Sequence, residues 1–390
     1  MHKKLSIAIV LTLVVSLLLG SVAIAQEPSG DFGVIQRAAD AYLTSATPVI
    51  TADALYALLN DGDASNDPFI VSVRSAEHYA LGHIPGAVNI PWKQIAKAES
   101  LAQLPTDKQI VTYCYTGHTG QVAATVLGTL GYNVVNLKFG MMGWTKNDEV
   151  LAITRFGPTT DQRDYPLETE ANEATETYDF PVIDTGKDEV EDIIAAAADA
   201  WLAEAAPTIA ADALFELLND GDTSNDPFIL SVRSAEHYAL GHIPGAVNIS
   251  LKELAKPENL AKLPTDKQIV TYCYTGHTGQ MATTVLSLLG YDAINLKYGM
   301  MGWTEDDTVL ATGRFDPATQ PDYAFEGSLA PAAEEETTTE ETTTEEATPE
   351  VLPVTGMDPV SVAPIGLVIF GALSMGIGAV GYAINRRKAA

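Results

Sequence analysis

The 390-residue chain carries 51 Asp and Glu residues against 22 Lys and Arg, a net charge of −29. That balance excludes nucleic acid as a partner, because phosphate binding needs clustered cations. The length allows two or three domains. At the start, His2-Lys3-Lys4 is basic, Leu5 to Leu19 is apolar, and Ala23-Ile24-Ala25 has small residues where a leader is cut. Residues 1–25 are therefore expected to be a signal peptide rather than an uncleaved anchor, since the apolar run is short for a membrane span.

Residues 33–158 form a first globular region, in which apolar runs alternate between helix and strand spacing. Thr51 to Leu59 fits a helix capped by Thr51. Phe69 to Val73 is a short apolar strand, followed by a helix at Ser75 to Leu81 and a strand at Ala87 to Ile90. A further strand, Gln109 to Tyr113, ends at Cys114; Thr119 to Leu130 is helical, and Asn133 to Leu137 is a fourth strand. Short apolar strands separated by helices predict an α/β fold, with a parallel sheet covered on both faces. Sites in such sheets lie beyond the carboxyl ends of the strands, which is where Cys114 falls.

The acidic segment 159–190, with Pro166 and Pro181, is expected to be a linker that joins its neighbours loosely. Residues 191–317 then repeat the first region. The loop Cys114-Tyr-Thr-Gly-His-Thr-Gly120 returns as Cys273-Tyr-Thr-Gly-His-Thr-Gly279, an offset of 159 residues, with the chain's only two cysteines. Asn66 to Ile90 returns almost unchanged as Asn225 to Ile249, and Met141-Met-Gly-Trp144 as Met300 to Trp303. In the second copy Ala210 stands at the helix-cap position of Thr51. A disulfide between the cysteines would require the loops of two separate domains to meet, so each is read as a free thiol.

A cysteine at a strand end, followed by a turn and a helix, has an electrostatic consequence. Loop N–H groups and the positive helix terminus favour thiolate over thiol. The candidate site residues are Cys114 with Tyr115, Thr116, Gly117, His118, Thr119 and Gly120. In the second copy they are Cys273 with Tyr274, Thr275, Gly276, His277, Thr278 and Gly279. Arg74 and Arg233 are supporting candidates, with a buried ion pair between Arg74 and Glu77 as the alternative to substrate binding. His83 is read as fixing a turn, Trp144 and Trp303 as core. One thiol and scattered histidines do not give metal-ligand spacing, so no metal and no cofactor is expected.

These motifs resemble the rhodanese sulfurtransferase family. Val71-Ser-Val-Arg74 with Glu77 to Ile90 is similar to its first signature, Val111 to Thr119 to its active-site strand and loop, and Phe139 to Trp144 to its closing Gly-Gly-Met-x-x-Trp. The resemblance implies two domains, each with a parallel five-stranded sheet, and a cysteine that relays sulfane sulfur from a small-molecule donor to an acceptor. The six-residue loop without Arg argues against the related phosphatases. Two departures stand out. Ser72 and Ser231 replace the usual Asp, and Tyr115 and Tyr274 stand where Arg is frequent. His118 and His277 are then the only loop side chains able to carry positive charge. Thiosulfate is therefore expected to be a poorer donor than polysulfide or persulfide. The competing readings are a non-catalytic binding or scaffold module on the same fold, and a thiol-dependent reductase or peroxide sensor, which would lack a resolving cysteine.

Beyond the second copy, residues 318–351 read as a Glu/Thr-rich stalk. Leu352-Pro-Val-Thr-Gly356, the apolar stretch 360–384 and the basic tail 385–390 follow. In that order they resemble a cell-wall sorting signal cut by a sortase between Thr355 and Gly356; the alternative is a plain membrane anchor with a cytoplasmic basic tail. The expectation is an exported protein, held at the cell surface through its C-terminal segment, with a sortase as partner.

Overall fold

The computed structural model describes residues 27–330. The expected signal peptide, most of the stalk, the sorting motif and the apolar stretch 360–384 lie outside the described residues. Among the described residues no helix is long and apolar enough to cross a membrane.

The first copy runs α1 (Gly30–Ser45), β1 (Val49–Ile50), α2 (Ala52–Leu59), β2 (Phe69–Ser72), α3 (Ala76–Leu81), β3 (Val88–Asn89), α4 (Ala98–Leu101), β4 (Ile110–Tyr113), α5 (His118–Thr129), β5 (Val134–Leu137), α6 (Gly140–Trp144) and α7 (Asp148–Leu151). The second runs α8 (Val190–Glu204), β6 (Thr208–Ile209), α9 (Ala211–Leu218), β7 (Phe228–Ser231), α10 (Ala235–Leu240), β8 (Val247–Asn248), α11 (Pro257–Leu260), β9 (Ile269–Tyr272), α12 (His277–Leu288), β10 (Ala293–Leu296) and α13 (Met300–Trp303). Each forms one five-stranded sheet, ordered β1-β5-β4-β2-β3 and β6-β10-β9-β7-β8. All pairings within both sheets are parallel. The central strands are short and β-branched, and β4 and β9 are buried along their whole length, as a sheet covered on both faces requires.

The loose joint expected between the domains is not what forms. A single apolar core contains Leu43, Val122, Val126 and Leu127 of the first copy together with Leu202, Met281, Val285 and Leu286 of the second. The reason lies in α5 and α12. Gln121 to Thr129 and Gln280 to Leu288 are buried all round, with no solvent-facing side. A helix with no charged residue on any face can be enclosed all round, and here α5 and α12 pack on their own sheets and on each other. Each fully buried aliphatic side chain in that contact contributes about 1.5–3 kcal/mol.

The remaining elements cross over. Helix α1 lies on the turn Leu251–Glu253 of the second copy, where the Gln36 amide donates to the Ala255 carbonyl at 2.7 Å. Helix α8 lies on the turn Trp92–Gln94 of the first, where Lys93 Nζ donates to the Ala203 carbonyl at 3.0 Å. The segment expected to be a linker is an arm on the second copy: Tyr165 stacks on Phe215 at 4.0 Å and its N–H bonds the Trp303 carbonyl. Residues 318–330, expected to begin the stalk, return as an arm on the first copy. There Tyr323 stacks on Tyr56 at 3.9 Å and its N–H bonds the Trp144 carbonyl.

Candidate active site

Strand β4 delivers Cys114 to the carboxyl edge of its sheet, as the sequence predicts. Two backbone segments then hold it. The first is the loop itself: the Gly117 N–H donates to Cys114 Sγ at 3.1 Å, and the matching Gly276 N–H donates to Cys273 Sγ at 3.2 Å. The second is the first turn of α6. There the Met141 N–H donates to the Cys114 carbonyl and the Met142 N–H to the Tyr115 carbonyl, both at 2.9 Å. At Gly140 a side chain would stand 2.4 Å from the Cys114 carbonyl oxygen, so that close approach requires glycine.

Asn136, which the sequence reading did not single out, braces the loop from β5. Its amide donates to the Gly117 carbonyl at 2.9 Å, and Asn295 does the same for Gly276 at 3.1 Å. The signal was present: each copy places one amide in an otherwise apolar strand, Val134-Val-Asn-Leu137 and Ala293-Ile-Asn-Leu296. Such a buried polar group needs a partner. Gly120 and Gly279 lie buried in the first turns of α5 and α12, where their carbonyls accept from the Thr112 and Thr271 hydroxyls at 2.8 Å. Thr119 and Thr278 are half-buried beside them.

The Tyr115 side chain is anchored at the start of α3. Its hydroxyl lies 2.7 Å from His78 Nδ1 and accepts the Ser75 N–H; Tyr274 repeats this with His237 at 2.6 Å. Arg74 and Arg233 pair with no carboxylate among the described residues and bond backbone carbonyls instead. Arg74 is fully buried and donates to the carbonyls of Gly82 and Val150, while Glu77 is exposed. Arg233 donates in the same way to Gly241 and Val309. Both guanidiniums are structural, tying helix ends that carry no side-chain partner of their own. His83 fixes its turn through the Tyr79 carbonyl at 3.0 Å, and Trp144 and Trp303 are buried.

His118 and His277 depart furthest from expectation. Each reaches across to the other copy. His277 Nε2 accepts the Phe139 N–H at 3.1 Å, and His118 Nε2 accepts the Tyr298 N–H at 3.2 Å. The two rings stack with centroids 5.9 Å apart. An N–H can only donate, so each Nε2 is unprotonated. The ring proton sits on Nδ1, bonded to Thr116 at 2.9 Å and Thr275 at 3.0 Å. Burial pushes His277 down to about 3, with nearby Lys138 adding to it. Burial, then His277, then Lys297 hold His118 well below the ordinary imidazole value. Both imidazoles are therefore neutral, so neither supplies the positive charge that the sequence left open.

The two cysteine loops thus do meet, although the sequence reading had them apart. Both thiols are free, and each cysteine is only 1% exposed. Among the described residues no group of three or more His, Cys, Asp or Glu is placed to hold a metal.

Comparison with known proteins accords with this geometry. The Rhodanese-like domain family matches residues 51–147 and again residues 210–306. A sulfurtransferase of Allochromatium vinosum is 30% identical over 84 residues, which is 21% of this chain and 77% of that protein. The HTH-type transcriptional regulator Rv0324 of Mycobacterium tuberculosis is 34% identical over 124 residues, covering 29% of this chain. The chain spans 53% of that regulator's length. Among solved structures, a rhodanese-like domain protein from Staphylococcus aureus is 28% identical, with a TM-score of 0.23, covering 25% of this chain and 91% of that one. The chain belongs to the rhodanese-like domain family and carries that domain twice in tandem.

Proposed function

We propose that the protein is a sulfurtransferase in which Cys114 and Cys273 each carry sulfane sulfur as a persulfide. The observation that carries this reading is the paired placement of a free thiol at a strand end, with a loop N–H on its sulfur and the N-terminus of a twelve-residue helix behind it. The thiolate attacks the outer sulfur of a donor, the donor's S–S bond breaks, and the leaving thiolate departs with the bonding pair. A thiol, sulfite or cyanide then attacks the outer sulfur of the enzyme persulfide and restores the cysteine thiolate. Two half-reactions through one covalent intermediate give ping-pong kinetics. All steps need only the cysteine and the main-chain donors, with no cofactor.

The donor class follows from charge. With Tyr115 and Tyr274 bonded to histidines and both loop imidazoles neutral, no loop side chain offers a cation to a thiosulfate dianion. Polysulfide or a small persulfide fits better than thiosulfate. Efficient turnover of thiosulfate with cyanide at neutral pH would sink this preference. Since both copies keep their cysteine, Cys114→Ser is expected to leave substantial turnover, and only the double substitution to abolish it.

The burial of both thiols favours a second reading, a module with this fold that does not turn over. Intact-mass measurement after polysulfide treatment separates the two: a gain of about 32 Da on each cysteine supports the transferase. An unmodified chain supports the module. We further propose that the protein is exported and anchored at the cell surface. What supports this is the leader-like start, and the order of Leu352-Pro-Val-Thr-Gly356, apolar stretch and basic tail. Cell fractionation and release by a sortase cutting at Thr355-Gly356 would test it.

A further inference from the structure

We propose that each loop histidine is a positioning residue for the cysteine of the other domain: His277 serves Cys114, and His118 serves Cys273. The proposal deepens the transferase reading, which gives the positioned thiol its use, but its geometry stands apart from that reading.

His277 touches both segments that fix Cys114. Its Nε2 accepts the Phe139 N–H at 3.1 Å. Phe139, at φ 64°, stands at the head of α6, whose Met141 and Met142 N–H groups hold the Cys114 and Tyr115 carbonyls. The same Nε2 lies 2.4 Å from where a Gly117 side chain would begin, so the imidazole rests directly on the residue whose N–H bonds the Cys114 sulfur. The mirror set is complete. His118 Nε2 accepts the Tyr298 N–H and rests on Gly276, whose N–H bonds Cys273 Sγ, while the Met300 and Met301 N–H groups hold the Cys273 and Tyr274 carbonyls. Within its own loop, by contrast, each histidine bonds only a threonine hydroxyl. Part of the restraint on each sulfur therefore comes from across the interface, on top of the contacts within its own copy. A residue that looks local in sequence acts on a backbone N–H 180 positions away (His118 on Tyr298) or 138 positions away (His277 on Phe139).

The test uses the full chain in two backgrounds. Cys273→Ser leaves Cys114 as the only thiol, and Cys114→Ser leaves Cys273. Each receives His118 or His277 substituted by Gln or by Asn. Gln can present its oxygen where Nε2 stands, whereas Asn is too short to reach the Phe139 or Tyr298 N–H. The readout is the iodoacetamide rate against pH, which gives the reactivity and titration midpoint of one thiol at a time. In the Cys273→Ser background, His277→Asn should change the Cys114 rate about fivefold or more and move its midpoint, as coupled contacts of this size do. His277→Gln should restore it, and His118→Asn should have the smaller effect. The order should reverse in the other background. Equal or larger effects from the histidine of the same loop, or Gln and Asn behaving alike, would overturn the proposal. Alkylation needs no sulfur transfer, so failure to form persulfides would count against the transferase reading and leave this result standing.

Discussion

The two domains share their loops residue for residue, and their geometry agrees closely: 3.1 and 3.2 Å from glycine N–H to sulfur, 3.1 and 3.2 Å from turn N–H to histidine. They differ where they face each other. Phe139 of the first domain is Tyr298 in the second. Both occupy the same left-handed position, at φ 64° and 66°. The Tyr298 hydroxyl is buried, and it has no hydrogen-bond partner among the described residues. Burial first, with neighbouring Asp161 and Cys114 adding to it, raises its affinity for its proton above the ordinary phenol value. Duplication has therefore kept the parts that hold sulfur and let the setting diverge, so the two thiols stand in unequal surroundings.

The largest effect should come from Gly117→Ala and Gly276→Ala. Each adds a methyl group 2.4 Å from the opposing imidazole, at φ 91° and 90°. Strain in the left-handed region plus displacement of the interface should cost about 3 kcal/mol or more, read as a fall in the thermal midpoint. Gly131→Ala, at φ 92° with open space around it, keeps only the backbone part and should cost about 1–2 kcal/mol. Similar losses at Gly117 and Gly131 would mean that the interface contact carries no weight.

Acid should come next. Both imidazoles are neutral in the fold, with proton affinities lowered by burial, whereas in the unfolded chain they titrate near the ordinary value of about 6.5. The unfolded chain therefore takes up protons that the fold does not. This contribution is fully present above about pH 6.5 and is lost as pH falls towards about 3 for His277. At pH 5 the loss should amount to about 2 kcal/mol for His277, with His118 adding to it in the same direction. Denaturant melts at pH 7.5 and 5 should show the loss in the parent chain, and a shallower one in His118→Gln with His277→Gln. An unchanged slope in the double variant would refute the assignment.

Two smaller changes sharpen the asymmetry. Tyr298→Phe removes a buried unpartnered hydroxyl and should be neutral or stabilising by about 1 kcal/mol, and it should bring the two alkylation rates closer together. Thr51 caps α2 by accepting the Ala54 N–H at 3.2 Å, whereas Ala210 gives α9 no side-chain cap. Thr51→Ala should therefore cost about 1 kcal/mol and Ala210→Thr return a similar amount, a pair that melting curves of single and double variants can resolve.

The strands and the cysteine loop were legible because their signals are local: apolar runs of four residues, a thiol beside glycines, and a repeat at constant offset. Strand β1, only Val49–Ile50, is too short to leave a pattern, and its place depends on β5. The domain interface left a subtler trace. Val122 to Leu130 carries no charged residue on any side, which already asks for cover on both flanks. The two arms carry a shared Asp-Tyr-x-x-Glu, at Asp164 to Glu168 and Asp322 to Glu326, but acidity and proline made the first resemble a linker. The role of His118 could not be read from its own loop, since the group it bonds is far along the chain. Asn136 could have been found, as the one amide in an apolar strand.

The exchange of α1 and α8 has one further consequence. Every element that one half lends, the other half returns in kind: a leading helix, a trailing arm and an imidazole. A polypeptide holding a single copy with its helix and arm would thus possess both sides of the whole contact surface. Expressed alone, such a half should associate with its twin, and the present chain reads as a homodimer whose subunits have been fused end to end.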